Sequence, residues 1–545
     1  MKTLRLYFLS IIIAFLSFGS MKAQSVSTVD SLNKKYLNWQ NLDWKTDKVA
    51  GVSVEKAYNT ILKGKTPKKK IIVAVIDGGV DTAHVDLKGK IWKNTKEIPG
   101  NGIDDDNNGY VDDVYGWNFI GNAKGENVNA ENFEYTRVMK KYDPLYKNIH
   151  SKDVLTPSQL VEYEMYIKAK NKYNEELKLY QDQKKKLTRY QNKLDSAETT
   201  LKAYLKKDTI KQADVEKITS TDENISKAKE SFLSLSKKGI SRASLKAYKE
   251  SVDLYLDKYL NLDFNPRAVI GDDPENIKDV KYGNNNVKGP SAGHGTLCSG
   301  LIAANRNNGI GINGIAEDVA IMALRVVPDG DERDKDVALA IRYAVDNGAN
   351  IINMSFGKAF SPQKAFVDDA IKYADAHNVL LVHAAGNDGQ NNDSIEHYPT
   401  KVLNDGTVAG DFINIGASNY TVDDKYPAFF SNYGQSVDFF APGMNIISLL
   451  PENKYTKANG TSFSCPITTG VAALVWSYYP ELTAKELKMV LINSTDSHAK
   501  LKVLRPSKTG ASITTTFSTL CSSGGSLDAV KALKTAEKMV KNKKK

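Results

Sequence analysis

Only three cysteines occur among the 545 residues, Cys298, Cys465 and Cys521. That excludes a scaffold stapled by disulfides and leaves a large apolar core to carry stability. Long apolar runs are also scarce: the one near the start, 8–18, is too short to cross a bilayer, and no longer one follows. It lies between a basic opening (Lys2, Arg5) and small or polar residues up to Ala23, the pattern of a cleavable signal peptide over 1–23. The mature chain is therefore expected to be exported, periplasmic or secreted, with no stable membrane insertion after signal removal. The formal charge of +10 gathers in Lys-rich stretches at 63–70, in the middle of the chain and at 541–545. No basic and aromatic recognition motif accompanies them, so nucleic acid is not an expected partner.

The chain is too long for one ordinary domain, and its 41% hydrophobic content suffices for a large core. A continuous apolar run at 71–76 stops at Asp77-Gly78-Gly79, as a strand buried on both faces of a parallel sheet does. Similar runs recur at 319–327, 351–354, 379–382 and 412–415, with helical periodicity at 334–347 and 363–376. This alternation predicts an α/β fold with a doubly wound, mostly parallel sheet. Functional residues of such sheets gather at the carboxyl ends of the strands, where Asp77, Ser355 and Asn387 fall.

Between 121 and 265 the composition shifts to Lys, Glu, Gln, Tyr and Leu. Leu187, Tyr190, Leu194, Ala197 and Leu201 follow three- and four-residue steps, as do Leu245, Tyr248, Val252, Tyr255 and Tyr259. Two long amphipathic helices that zip together are expected, forming a helical insertion with a lid or partner-docking role, or none. The expected division is thus a signal peptide (1–23), an N-terminal extension (24–70), a catalytic domain in two parts (71–120 and 266–500) around the insertion (121–265), and a C-terminal extension (501–545).

Three blocks carry chemistry: Val73-Ala-Val-Ile-Asp77-Gly-Gly-Val-Asp81, His294-Gly-Thr-Leu-Cys-Ser-Gly300 and Asn459-Gly-Thr-Ser462-Phe-Ser-Cys-Pro466. Together with Asn353-Met-Ser-Phe-Gly357, Ala384-Ala-Gly-Asn387, Tyr398-Pro399 and Phe440-Ala-Pro-Gly443, they resemble the subtilase family in content and order, over about 71–92 and 266–496. The resemblance implies a subtilisin-like fold and a serine endopeptidase acting on polypeptides. Ser462 would be the nucleophile, His294 the general base and acid, and Asp77 the carboxylate that orients it. It also implies an oxyanion hole at Asn387, and a substrate cleft flanked by Ser355, Phe356 and Gly357 on one side and Ala384, Ala385 and Gly386 on the other. Gly and Ala there lead to the expectation of an open apolar slot for large hydrophobic residues before the scissile bond. Cys298 and Cys465 are expected as small buried hydrophobes, with a redox switch or mutual disulfide as the alternatives. A non-catalytic binder and a transpeptidase remain rival readings.

The segment from Asp104 to Asp113 places Asp104, Asp106, Asn108, Tyr110 and Asp112 at alternating positions around a glycine, like the first part of an EF-hand loop. Calcium is the expected cofactor. The glutamate usual at position twelve is absent, since Tyr115 stands there, so ligands must come from elsewhere or the site stays weak. Asp86 and Asn308, in the Asn307-Asn308-Gly-Ile-Gly311 loop, resemble the family's high-affinity calcium site.

Overall fold

In the computed structural model, residues 34–510 and 512–544 are described; the expected signal peptide lies outside them. Two compact units emerge: a helical one, Tyr135–Phe264, and an α/β one holding the described residues up to Glu134 together with Asn265 onward. The sequence boundary at 121 falls short of this. Residues 121–134 belong to the α/β unit, where the Glu131 N–H donates to Asp329 O (2.8 Å) and Arg325 Nη2 donates to Val128 O (2.7 Å).

The α/β unit is built on β1 (Ile71–Asp77), β2 (Gly116–Asn118), β3 (Val319–Arg325), β4 (Ile351–Met354), β5 (Leu380–Ala384), β6 (Phe412–Ser418), β7 (Phe439–Pro442) and two short edge strands, β8 (Asp496–Ser497) and β9 (Gly525–Ser526). Their order is β8-β9-β7-β6-β5-β4-β1-β3-β2, with only the β8–β9 pair antiparallel. Successive side chains alternate between the faces. Val73, Val75, Ile321 and Val382 join one core cluster, while Ala74, Ile76, Met322, Leu324 and Met354 join the other. Both faces are covered, which explains why the strands read as unbroken apolar runs. The helices Asp334–Asp346 and Lys364–Ala376 supply the second cluster; Gly293–Ala303, Thr461–Tyr478 and Ala529–Lys543 supply the first.

Register sets the site. Ile76 pairs with Met354, and Met354 with His383. The next residues, Asp77, Ser355 and Ala384, therefore emerge level with one another at the carboxyl edge. After β1 the chain forms β2 and β3 on one side and then β4 on the other, the crossover point where α/β sheets place their ligands.

The N-terminal extension forms part of this core. Trp39, Val52, Val54 and Ala57 are fully buried in the first cluster. Asn41 Nδ2 donates to Asn313 O (2.9 Å), Ser53 Oγ to Asp528 (2.9 Å), and the Ala529 N–H to Val52 O (2.9 Å). The segment and the C-terminal helix thereby tie each other down.

In the helical unit one helix, Pro157–Leu205, runs 49 residues, opened by Pro157 and a Thr156–Gln159 capping box. Its expected partner is two helices, Glu223–Lys237 and Arg242–Leu254. Gly239 at φ +69° and Ser241, the cap of the second helix, make the break. Leu187 and Leu194 meet Leu235 and Leu245, and Tyr180 stacks on Tyr255 with centroids 3.8 Å apart.

Candidate active site

Asp77 ends β1 and is nearly fully buried. Its Oδ1 accepts the Gly78 N–H (2.7 Å), and both of its oxygens face His294 Nδ1, at 3.0 and 2.8 Å. A carboxylate can only accept, so Nδ1 carries the proton and Nε2 is left with its lone pair. Nε2 hydrogen-bonds no described residue, and the imidazole stays a third exposed. Burial disfavours a charge on this ring, but the Asp77 carboxylate overrides it and holds the imidazole pKa well above 6.5. Gly295 allows the approach: a Cβ there would stand 2.2 Å from Gly79 O and 3.0 Å from Asp77 Cβ.

Ser462 is the second residue of the helix Thr461–Tyr478, where backbone N–H groups have no intrahelical partner. Its hydroxyl donates to Ser355 O at 3.1 Å. Two neighbours shared with His294 place it beside the imidazole. Cys298 Sγ lies 3.9 Å from His294 Nδ1 and 3.6 Å from Ser462 O, and the Phe463 ring is 5.8 Å from the His294 ring. Pro466 explains the contact of Cys298 with Ser462 O, because it lacks the N–H that would have bonded that carbonyl four residues back.

Asn387 follows β5. Its Oδ1 accepts from both the backbone N–H (2.8 Å) and the hydroxyl (3.0 Å) of Thr461. A backbone N–H cannot accept, so the amide orientation is fixed. Asn387 Nδ2 is left as a donor bonded to no described residue, next to the chain entering Ser462. Thr461, which sets this orientation, was not singled out from sequence; its position directly before the serine was the available signal.

The two cleft segments follow neighbouring parallel strands. Gly386 N–H donates to Thr461 Oγ1 (3.3 Å), Ala385 N–H to Ile415 O (2.9 Å), and Asn392 Nδ2 to Ala385 O (2.8 Å). Beyond Phe356 and Gly357 the chain pairs antiparallel with Tyr398 through Lys358. That pairing brings in a residue the sequence reading missed. His397 Nε2 lies 2.4 Å from where a Gly357 Cβ would stand and 3.1 Å from a Gly386 Cβ. Between the two segments, then, lies an imidazole. Behind it is buried His383, whose Nε2 donates to Phe356 O (2.9 Å) and whose pKa is pushed down to about 3 by burial and by His397.

The three cysteines are buried and free. Cys465 Sγ points at Val382 O and Asn353 Oδ1, both at 3.2 Å, and burial raises its pKa. It is a packed thiol, as is Cys298, whose pKa burial also raises.

In the acidic loop, Asp104 and Asp106 lie with Glu97, their carboxylate oxygens within 4.8 Å of one another. Glu97 is nearly buried, and burial raises its pKa. This all-oxygen set fits calcium. Glu97 comes from a point before the loop where the EF-hand pattern gives no cue, and its two oxygens also accept the N–H groups of Asp105 (3.0 Å), Asp106 (3.3 Å) and Asp112 (3.1 Å). The other expected ligands are turned elsewhere. Asp112 accepts the N–H groups of Gly100 (2.7 Å) and Gly102 (2.9 Å), Asn108 bonds Tyr110 N–H and Asp113, and the Tyr110 ring packs against Trp117 and Tyr343. Asp86 Oδ1 accepts from Asn308 Nδ2 (2.6 Å), while Oδ2 accepts the Ile312 N–H (3.1 Å). The two residues expected as metal ligands are thus hydrogen-bonded to each other, in a pocket where burial raises the pKa of Asp86.

A family model described as "Subtilase family" matches residues 68–511. The cell wall-associated protease of Bacillus subtilis (strain 168) is 35% identical over 215 residues, 39% of this chain and 22% of that protein. Subtilisin BL of Lederbergia lenta is 34% identical over 206 residues, 38% of this chain and 71% of that one. The chain therefore spans about a fifth of the length of the first of these relatives. Among solved structures, one of proteases from Pseudoalteromonas arctica PAMC 21717 is similar at 28% identity and a TM-score of 0.36, covering 45% of this chain and 70% of that one.

Proposed function

The chain belongs to the subtilase family, and from that membership we propose that it is a serine endopeptidase working through an acyl-enzyme on Ser462. The observation that carries this reading is the Asp77–His294 pair at 2.8 Å beside the helix start that bears Ser462. For attack, the Ser462 hydroxyl leaves Ser355 O and turns to His294 Nε2, which takes its proton as the serine oxygen bonds the scissile carbonyl carbon. Asp77 holds the imidazole in the accepting tautomer and stabilises the imidazolium. The developing oxyanion is met by Asn387 Nδ2 and the Ser462 N–H. His294 then returns the proton to the leaving amine, and water repeats the cycle to release the acid. Extended substrate pairs with the backbone of Ser355–Gly357 and Ala384–Gly386. A fluorophosphonate probe should label Ser462, and the label should vanish in Ser462→Ala; wild type that folds and takes no label would leave a non-catalytic binder. Products retained on an added amine acceptor would instead favour a transpeptidase.

The finer parts of the reading are export behind a 1–23 signal peptide to a periplasm or beyond, structural calcium, and a lid or docking role for the helical unit. Among the described residues no helix is long and apolar enough to cross a membrane. Calcium is supported by the Glu97, Asp104 and Asp106 group and by the Asp86–Asn308 pair; a chelator should lower the melting temperature, and Glu97→Gln should remove part of that sensitivity. The lid role is supported by the place of Tyr135–Phe264 in the chain, between Asp77 and His294. Replacing that unit with a flexible linker should speed cleavage of short peptides; an unchanged rate opposes gating. The division of the chain by function is proposed on the same grounds, with 24–70 and 501–545 flanking the catalytic segments.

A further inference from the structure

We propose that His397 is the floor of the slot receiving the side chain before the scissile bond, and that it selects a side chain ending in a carboxamide, glutamine above all. The inference rests on the endopeptidase reading and deepens it. Two bare Cα atoms, Gly357 and Gly386, would alone leave a deep apolar slot. Instead, one nitrogen of a partly exposed imidazole sits against both, 2.4 and 3.1 Å from where their Cβ atoms would stand. The Lys358–Tyr398 pairing fixes it there (3.1 and 2.9 Å). The ring shortens the slot, so a large aromatic side chain cannot run to its full depth.

The ring also sets the chemistry at the bottom. Neither nitrogen of His397 hydrogen-bonds a described residue. An apolar side chain pressed onto it would bury an unsatisfied donor and acceptor, the situation that lets a polar site reject an apolar analogue strongly. A neutral imidazole has one N–H and one lone pair; a carboxamide offers one carbonyl and one NH2 in return. A carboxylate matches less well for reasons of charge. Burial lowers the His397 pKa, so the ring is neutral, and the groups around it are neutral His383, with ring centroids 5.7 Å apart, and the Asp388 carboxylate, itself paired with Lys508 at 3.2 Å. Beside burial, the influence on the ring is that of the Asp388 carboxylate, a negative charge that does nothing to balance an acid.

The test is a set of tetrapeptide p-nitroanilides identical except for Gln, Glu, Leu or Phe before the cleaved bond, assayed on the full chain near neutral pH. Wild type should show a kcat/KM for Gln at least about tenfold above those for Phe and Glu. His397→Ala should cut the Gln-to-Phe ratio about tenfold or more while fluorophosphonate labelling of Ser462 persists. If that variant does not fold, His397→Asn, which keeps a hydrogen-bonding head, should retain a preference for Gln over Phe. Labelled wild type that prefers Phe or Leu, or a ratio that His397→Ala leaves unmoved, overturns the assignment alone. Folded wild type that neither labels nor cleaves sinks the endopeptidase reading, and this assignment with it.

Discussion

The α/β unit and the helical unit solve the same burial problem at different depths. In the first, strands are covered on both faces, and even charges are sunk in paired knots. Arg267 bridges Asp272 and Asp336 at 2.5–2.8 Å, and fully buried Lys335 reaches Asp272 at 2.7 Å. In the second, the core is a narrow seam of Leu and Tyr, and its ion pairs are mostly at the surface. Every side chain assigned to the peptide chemistry comes from the deep unit. Catalysis needs atoms held to fractions of an ångström, and close-packed strand ends provide that rigidity where a seam of long helices does not.

The largest effects should follow from cutting the chemistry out of the rigid unit. Ser462→Ala should lower kcat by about 10⁶-fold and Asn387→Ala by about 10²–10³-fold, magnitudes taken from subtilisin itself. The melting temperature should stay close to wild type in Ser462→Ala, whose side chain is only partly buried, and fall modestly in Asn387→Ala, which also strands the buried Thr461 N–H and hydroxyl that its Oδ1 accepts. Steady-state kinetics beside calorimetry checks both halves. An Asn387→Ala loss below tenfold would mean that its amide does not meet the oxyanion.

The pH profile should be set by the same unit. His294 must be neutral to accept the serine proton, and Asp77 holds its pKa well above 6.5. Hence kcat/KM should climb with pH and reach half its plateau above 6.5, not below. The stability term has the opposite sense. A pKa raised on folding favours the folded state while the group is protonated, so this contribution is fully present below about 6.5 and is lost as pH rises through the folded value. Activity should thus increase over a range where His294 stops adding to stability. A kcat/KM profile already flat at pH 6 would oppose the raised pKa.

Next in size is the charge knot. Arg267→Met leaves Asp336 with Tyr282 alone and Asp272 with Lys335, both buried, and should cost about 3–5 kcal/mol by denaturant unfolding. This knot was invisible beforehand. Residues 266–283 have no periodicity, and nothing in the order Arg267, Asp272, Asp279 says that one helix will present Lys335 and Asp336 to them. The triad was legible for the opposite reason: each member sits in a short motif at a strand end or helix start, and those local geometries are written in Gly78, Gly295 and Gly460. The five central strands could be read because both of their faces are buried. The segment 38–62 could not be read as core, because it is made of short turns with left-handed residues at Asn38, Lys48 and Ser53, and its partners lie hundreds of positions away. His397 was hidden likewise, since its place depends on a two-residue pairing between Lys358 and Tyr398.

The smallest effect should come from the surface of the helical unit, and it closes the contrast. Lys185 pairs with Asp182 at 3.5 Å on the exposed face of the 49-residue helix, with side chains 75% and 50% exposed. Asp182 precedes Lys185 by three residues, the spacing at which helix neighbours meet. Yet both side chains must give up rotamer freedom in water of high dielectric, so the net gain is small. Lys185→Ala, which also installs the best helix former, should shift stability by less than about 0.5 kcal/mol and leave kcat/KM unchanged. A cost approaching that of Arg267→Met would show that the helical unit depends on its charges as the α/β unit does, and the distinction between a deep core and a narrow seam would fail.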